Sequence, residues 1–449
     1  MNHFVFKGGV TACADPNMQN ETVKKLWSGF CFGISEVLFQ NGAEFTFRIG
    51  QEALPVLGAG KEYALSVSER GVAIVGKDYG GLMRGFCVLL MKIESVGEDF
   101  RIPACKEESN YKLANRMIHI CVFPENDFYY IKKLLRLSAL CQYTHVVIEF
   151  WGMLQFDCMK ELAWPHAFTK DMARELIREC KEMGMEPIPM SNQLGHATAS
   201  RIRSGKHVVL DQNPALHRLF TPDGWAWNIN SDEVKELLRR IRAELYELFG
   251  EGEYLHVGCD EAYFITRNAE WRKNLADYLG ELTREVEAEG RRPMLWMDML
   301  LEKGAFKDCY SVGEACEVEA IRNATAKSTV FVDWQYRVYE SPIPSLASLK
   351  NCGRDVIGAP WYEKKNYCAH IETLIENDMF GIMLTTWHTL FEWMHTVLDC
   401  AKECGAVTYP WTVCSPPRAE TATLLRAVSF EGNNYEDSGW IKNQIEVSV

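Results

Sequence analysis

Two acids stand side by side in the stretch YLHVGCDEAYF, Asp260 and Glu261. Paired carboxyls can divide acid–base work: one keeps its proton for a leaving oxygen, and the other stays negative beside a developing cation. Crowding assists, because each negative charge raises the proton affinity of its neighbour. Cleavage of an acetal between two sugars requires this chemistry. The plainer reading of Asp-Glu is a helix cap followed by a first-turn acid, and the dipeptide alone favours it. Trp296 in PMLWMDM, Trp334 in VFVDWQY and Trp387 in LTTWHT each close an apolar run. Three rings from three elements can line one pocket, although a single Trp in such a place is ordinary packing. Taken singly, Arg116 reads as an end-closing salt bridge, His196 after a glycine as a turn residue, and Tyr362 as a rim phenol.

Positioning such groups falls to a repeating pattern of strand, loop and amphipathic helix that begins near Tyr111. The apolar runs ANRMIHICV, THVVIEFW, MEPIPM, EYLHVG, PMLWMDM, STVFVDW, DVIGAPW and GIMLTTW are spaced by helical stretches such as DFYYIKKLLRLSALC, KDMARELIRECKEMG and SDEVKELLRRIRAELYELF. Strands alternating with helices argue a parallel sheet, and eight of them close a (β/α)8 barrel of the TIM type, whose chemistry sits at the carboxyl ends of its strands. Upstream, EYALSVSERGVAIVGKD alternates about a Glu-Arg-Gly turn and predicts a hairpin from Tyr63 to Val75. GGLMRGFCVLLMKIE then changes to helical spacing, with Leu82, Phe86, Leu89 and Leu90 on one face. The expected organisation is a small α/β domain over 1–108, the barrel over 109–420, and a carboxyl-terminal helix and tail over 421–449.

Composition narrows the partners. A formal net charge of -13 over 449 residues argues against a grip on nucleic acid or anionic membrane. Thirteen Trp and 17 Tyr mildly favour carbohydrate, since flat rings pack against pyranose faces. The 16 Cys are scattered without a CxxC pair, and Cys400 with Cys404 has no partner pair nearby, so no zinc framework is expected. Free thiols and an amino terminus, MNHFVFKGGV, without a charged region followed by an apolar one lead to the expectation of a cytoplasmic protein.

The string His256-Val257-Gly258-Cys259-Asp260-Glu261 resembles the His-x-Gly-Gly-Asp-Glu signature of the family 20 glycoside hydrolases, the β-N-acetylhexosaminidases, with Cys259 in place of the second glycine as in the hexosaminidase D-like branch. The resemblance covers about residues 55 to 395. It implies that Arg116 of ANRMIHI holds outer hydroxyls, that His196 of PIPMSNQLGHA tunes the acid pair, and that Trp296, Trp334 and Trp387 wall an acetamido pocket. GAPWYEKK resembles the Ala-Pro-Trp-Tyr motif, which adds Trp361 to the substrate contacts and makes Tyr362 the phenol that donates to the acetamido oxygen. The implied reaction removes a terminal β-linked N-acetylhexosamine with retention of configuration. Glu261 protonates the glycosidic oxygen, the acetamido oxygen attacks to give an oxazolinium ion, and Asp260 supports the acetamido nitrogen. No cofactor or metal is implied. The partner is an N-acetylhexosamine-terminated glycan, and a homodimer is the assembly allowed for.

Departures leave specificity open. THVVIEFWGM lacks the usual acid-rich second-strand segment and offers Glu149 at the strand end; Lys364 and Thr389 stand where the family has acids that contact the 4- and 6-oxygens. Gluco versus galacto preference is therefore undecided, and Lys364 could welcome an anionic 6-substituent. Three other readings compete: a barrel that binds amino sugars without cleaving them, a metal-dependent hydrolase built on His119, His145, His196 and His256, whose spacing fits no ligand template, and a different acetamido-processing glycosidase with an adjacent acid pair, which would differ mainly in substrate.

Overall fold

The computed structural model describes residues 2–50, 55–150, 152–197, 210, 213–309, 315–387, 393–407 and 417–430. The chain divides into two compact units, one of residues 1–110, 182–184 and 407–449, the other of 111–181 and 185–406.

In the first unit, strands β1 (His3–Phe6), β2 (Gly9–Cys13), β3 (Glu36–Phe39), β4 (Phe45–Ile49), β5 (Tyr63–Ser68), β6 (Gly71–Gly76), β7 (Glu94–Val96), β8 (Asp99–Pro103) and β9 (Cys105–Glu108) form two sheets. Six run in the order β3-β2-β4-β6-β5-β9, and three in the order β1-β8-β7. The expected hairpin is present: β5 and β6 pair antiparallel with Tyr63 opposite Gly76, turning at Glu69 and Arg70. The helix Tyr79–Leu90 follows, its start capped by the Asp78 carboxylate, which accepts from Gly81 N at 2.7 Å. It is buried from Gly81 through Leu90 rather than along a single stripe, as befits a helix that is apolar all round. The first 50 residues, which carry little pattern, supply four strands of four or five residues and the helix Asn20–Phe30. The sequence reading carried the barrel to residue 420, but the helix Pro417–Ala427 groups with this first unit, where Arg426 Nη1 donates to Gly29 O at 3.3 Å.

The second unit is a closed barrel of eight parallel strands: β10 (Asn115–Cys121), β11 (His145–Glu149), β12 (Glu186–Met190), β13 (Tyr254–His256), β14 (Arg292–Trp296), β15 (Val330–Asp333), β16 (Val356–Gly358) and β17 (Gly381–Thr385). Each matches one apolar run in the sequence. The ring closes where Asn115 of β10 pairs with Gly381 of β17, a glycine whose added Cβ would lie 2.4 Å from Asn115 O. Helices on the outside explain why the strands read as unbroken apolar runs, since both faces are covered. The helix Asp232–Phe249 shows how: Val234, Leu237, Leu238, Ile241, Leu245 and Leu248 turn inward, while Lys235 and Arg239 pair with Glu281 and Glu285 of the helix Leu275–Ala288. The barrel is the expected fold class.

Candidate active site

The segments that follow the barrel strands bring the acid pair and its partners together at one end. Asp260 and Glu261 come four and five residues after β13 ends. Neither caps a helix: the short helix Tyr263–Arg267 starts after Ala262 and has no side-chain cap. Both side chains meet His196, six residues past β12, whose Nε2 lies 3.0 Å from Glu261 Oε2 and 3.3 Å from Asp260 Oδ2. The two acids differ in access. The Glu261 side chain is 26% exposed and that of Asp260 only 8%. The outer acid suits exchange with a leaving group and water, and the inner one suits holding a buried part of a ligand.

This crossing is built from close backbone contacts. A Cβ on Gly195 would sit 1.8 Å from the Asp260 carbonyl oxygen, and one on Gly258 would sit 2.1 Å from Asn192 Oδ1. Four of the seven non-glycine residues with positive φ in the described chain belong here: His196 (53°), Cys259 (71°), Glu261 (46°) and Trp387 (40°). Left-handed backbone at L-residues costs on the order of 1–3 kcal/mol each and gathers at functional sites. The Cys259 thiol is pushed up by burial and by Asp260, so it stays protonated and serves as packing.

An aromatic surface adjoins the acids. Trp334 donates its indole N–H to Asp298 Oδ2 at 2.6 Å, Trp387 donates to Tyr336 Oη at 2.8 Å, and Tyr336 faces Trp334 and Trp361 with ring centres 5.2 and 5.4 Å apart. Trp361 in turn meets Tyr362, and Tyr362 meets Trp393, at 4.6 and 4.8 Å. Trp334, Trp361, Trp387 and Tyr362 thus form one continuous run of rings. Trp296 departs from the expected wall: it has no exposed surface, and its ring packs 4.4 Å from His256 beneath Trp387. Glu149 is also turned inward. It is 1% exposed and engaged by His119 Nε2 at 2.9 Å and by Asn192 Nδ2 at 2.5 Å.

Arg116 requires a correction. It is the second residue of β10 and so lies at the amino-terminal mouth, opposite the acids. Its guanidinium is spent on carbonyls, Nη1 on Leu113 O at 2.7 Å and Ala114 O at 3.1 Å, Nε on Gln142 O at 3.2 Å, and it stacks 3.6 Å above the Tyr111 ring. Arg116→Met should therefore lower stability by roughly 2–4 kcal/mol, through buried carbonyls left without donors, and leave KM within about twofold. Thermal melts beside Michaelis kinetics check this; a raised KM in a fully stable variant would return Arg116 to the substrate. Lys364 is also committed, its Nζ 3.0 Å from both Asp399 and Glu403, so its charge is not held in reserve for an anionic 6-substituent. Thr389 lies outside the described residues.

The four histidines do not converge. His145 sits at the amino end of β11 beside Thr144 and Glu186, at 2.7 and 3.6 Å, while His256, kept neutral by burial that pushes it down to about 3, accepts Gly258 N–H at Nδ1. Among the described residues no group of three or more His, Cys, Asp or Glu is arranged to hold a metal ion.

Sequence reading passed over Asp298, Asn192, Tyr263 and Tyr336. Asp298 has the same strand-end signal as Trp296, two residues later. It is 2% exposed, and burial together with Asp260 and Glu261 holds its proton on well above the usual carboxyl range. Burial and the charge of Glu261 likewise push the Tyr263 phenol up.

Fold and site together define a (β/α)8 barrel with an adjacent acid pair set beside stacked rings. The model of the glycosyl hydrolase family 20 catalytic domain matches residues 151–362. No curated protein matches the chain. Similar solved structures include the GH20 exo-β-N-acetylglucosaminidase of Vibrio harveyi in complex with N-acetylglucosamine, with a TM-score of 0.69 and 14% identity over 97% of this chain and 76% of that one. The GH20 β-N-acetylhexosaminidase of Streptomyces coelicolor A3(2) also scores 0.69 at 14% identity, covering 95% and 93%. The Streptomyces plicatus N-acetyl-β-hexosaminidase bound to Thio-NAglucal scores 0.67 at 14% identity, covering 96% and 93%. At these identities the likeness speaks for the fold.

Proposed function

We propose that this protein is a retaining exo-β-N-acetylhexosaminidase of glycoside hydrolase family 20, acting on terminal β-linked N-acetylglucosamine or N-acetylgalactosamine through the substrate's own acetamido group. One observation carries the reading: His196 bridges Asp260 and Glu261 within 3.3 Å at the carboxyl mouth of a closed barrel. Glu261, the more accessible acid, would protonate the glycosidic oxygen and later take a proton from water. Asp260, the deeper one, would accept from the acetamido N–H as positive charge develops there. His196, a single imidazole in reach of both, would hold the two acids in register. Tyr362 would donate to the acetamido oxygen from the run of rings. The cysteine at 259 supports a place in the hexosaminidase D-like branch.

The test is a comparison of aryl β-glycosides. An N-acetylglucosaminide or N-acetylgalactosaminide should be cleaved at least about a hundredfold faster than the 2-hydroxy glucoside, because an oriented internal nucleophile has a very high effective concentration. A thiazoline mimic of the cyclic intermediate should inhibit. Equal rates on 2-acetamido and 2-hydroxy substrates would overturn the reading.

A further inference from the structure

Asp298 is a third carboxyl at the acid pair, two residues beyond the end of β14. Its two oxygens are claimed by different parts of the site: Oδ2 accepts the indole N–H of Trp334 at 2.6 Å, and Oδ1 accepts the backbone N–H of Glu261 at 3.4 Å. One end of this contact is a ring in the aromatic run; the other is a residue held at a φ of 46°. A left-handed backbone relaxes unless its surroundings hold it. Asp298, itself 2% exposed, is in place to do so.

We propose that Asp298 is a positioning residue that ties the Trp334 wall to the backbone of Glu261, so that the ring and the acid keep a fixed spacing. The proposal rests on the reading of Glu261 as the proton donor. Asp298 would act without a charge. A third carboxylate here would repel Asp260 and Glu261 in a place closed to water, whereas a neutral carboxyl still accepts two N–H donors. The direction of its proton affinity agrees with this. Because Trp334 reaches Trp387 and Trp361 through Tyr336, a loosened Asp298 would be felt along the whole run.

The test uses the full chain with Asp298→Asn, Asp298→Ala and Trp334→Phe. Asparagine keeps the neutral state but only one acceptor oxygen, its NH2 opposing the other N–H, so kcat should fall less than in the alanine variant and the basic limb of the pH–rate profile should not move. Alanine should lower kcat by about 10²-fold or more, the scale of a 1 Å misplacement. Adding Trp334→Phe to Asp298→Ala should cost clearly less than the product of the two single losses, since the two residues share one hydrogen bond. An alanine variant within threefold of wild type overturns the proposal, as does an asparagine variant equally impaired with a shifted basic limb. If alanine fails to fold, the asparagine and phenylalanine variants decide on the same criteria. A wild-type chain that cleaves no glycoside removes the functional reading alone. The ¹⁵N-labelled indole signal of Trp334, assigned by Trp334→Phe, then decides: it should lie downfield and stay constant from about pH 5 to 8, and a signal that titrates there or ignores Asp298→Asn overturns the proposal.

Discussion

Replacing Glu261 by Gln is expected to lower kcat/KM on an aryl N-acetylhexosaminide by about 10²–10⁴-fold, the range that general acid–base help supplies. The amide keeps the shape and the neighbour at His196 but has no transferable proton. The fall should depend on the aglycone. A dinitrophenolate departs without protonation, so its glycoside should lose least in the first step; an alkyl or sugar alcohol cannot depart unaided, so its glycoside should lose most. Stability should change little, because the side chain is partly exposed. A drop of less than tenfold that is equal across leaving groups would remove Glu261 from the role of acid.

Gly195→Ala is expected to damage the site through space alone. The added methyl group would meet the Asp260 carbonyl oxygen at 1.8 Å and Ala262 N at 3.0 Å, and neither belongs to a side chain that can rotate away. The segment from Asn192 to His196 must then move off the acid pair and take His196 with it. Overpacking of this kind costs roughly 1–3 kcal/mol, and displacement of a catalytic partner by about 1 Å costs on the order of 10²-fold in rate. Gly290→Ala is the fitting control, since a Cβ on that glycine would meet no atom within 4 Å, and its φ of 86° means that only backbone strain is added. Melting and turnover measured together check the contrast. A Gly195→Ala enzyme with wild-type melting and wild-type kcat would mean that the crossing yields more easily than its geometry implies.

The barrel was legible because each of its strands is apolar on both faces and each is flanked by helices with an inward stripe. The acid pair was legible because it follows a recognisable strand end. What the sequence hid is instructive in physical terms. Only the family resemblance puts Arg116 on the sugar; one strand has two ends, and a matching run of residues does not say which mouth a side chain serves. The carbonyls of Leu113, Ala114 and Gln142 settle that. Trp296 and Glu149 were placed at the correct mouth, but depth below it depends on which neighbours fill the interior, here His256 and His119. Asp298 was hidden because its significance lies in contacts with Trp334 and Glu261, 36 and 37 positions away. The first 50 residues were opaque because their strands are only partly buried, residue by residue, and so lack the continuous apolar runs that mark the barrel strands.

Under the acids the barrel interior is sealed: His119, His256 and Trp296 have no exposed surface, and Arg116 is 2% exposed below them. Traffic through the opposite mouth is thereby closed. Whatever reaches the acids must therefore come in from the carboxyl mouth. Anything released at the acids leaves by that same mouth.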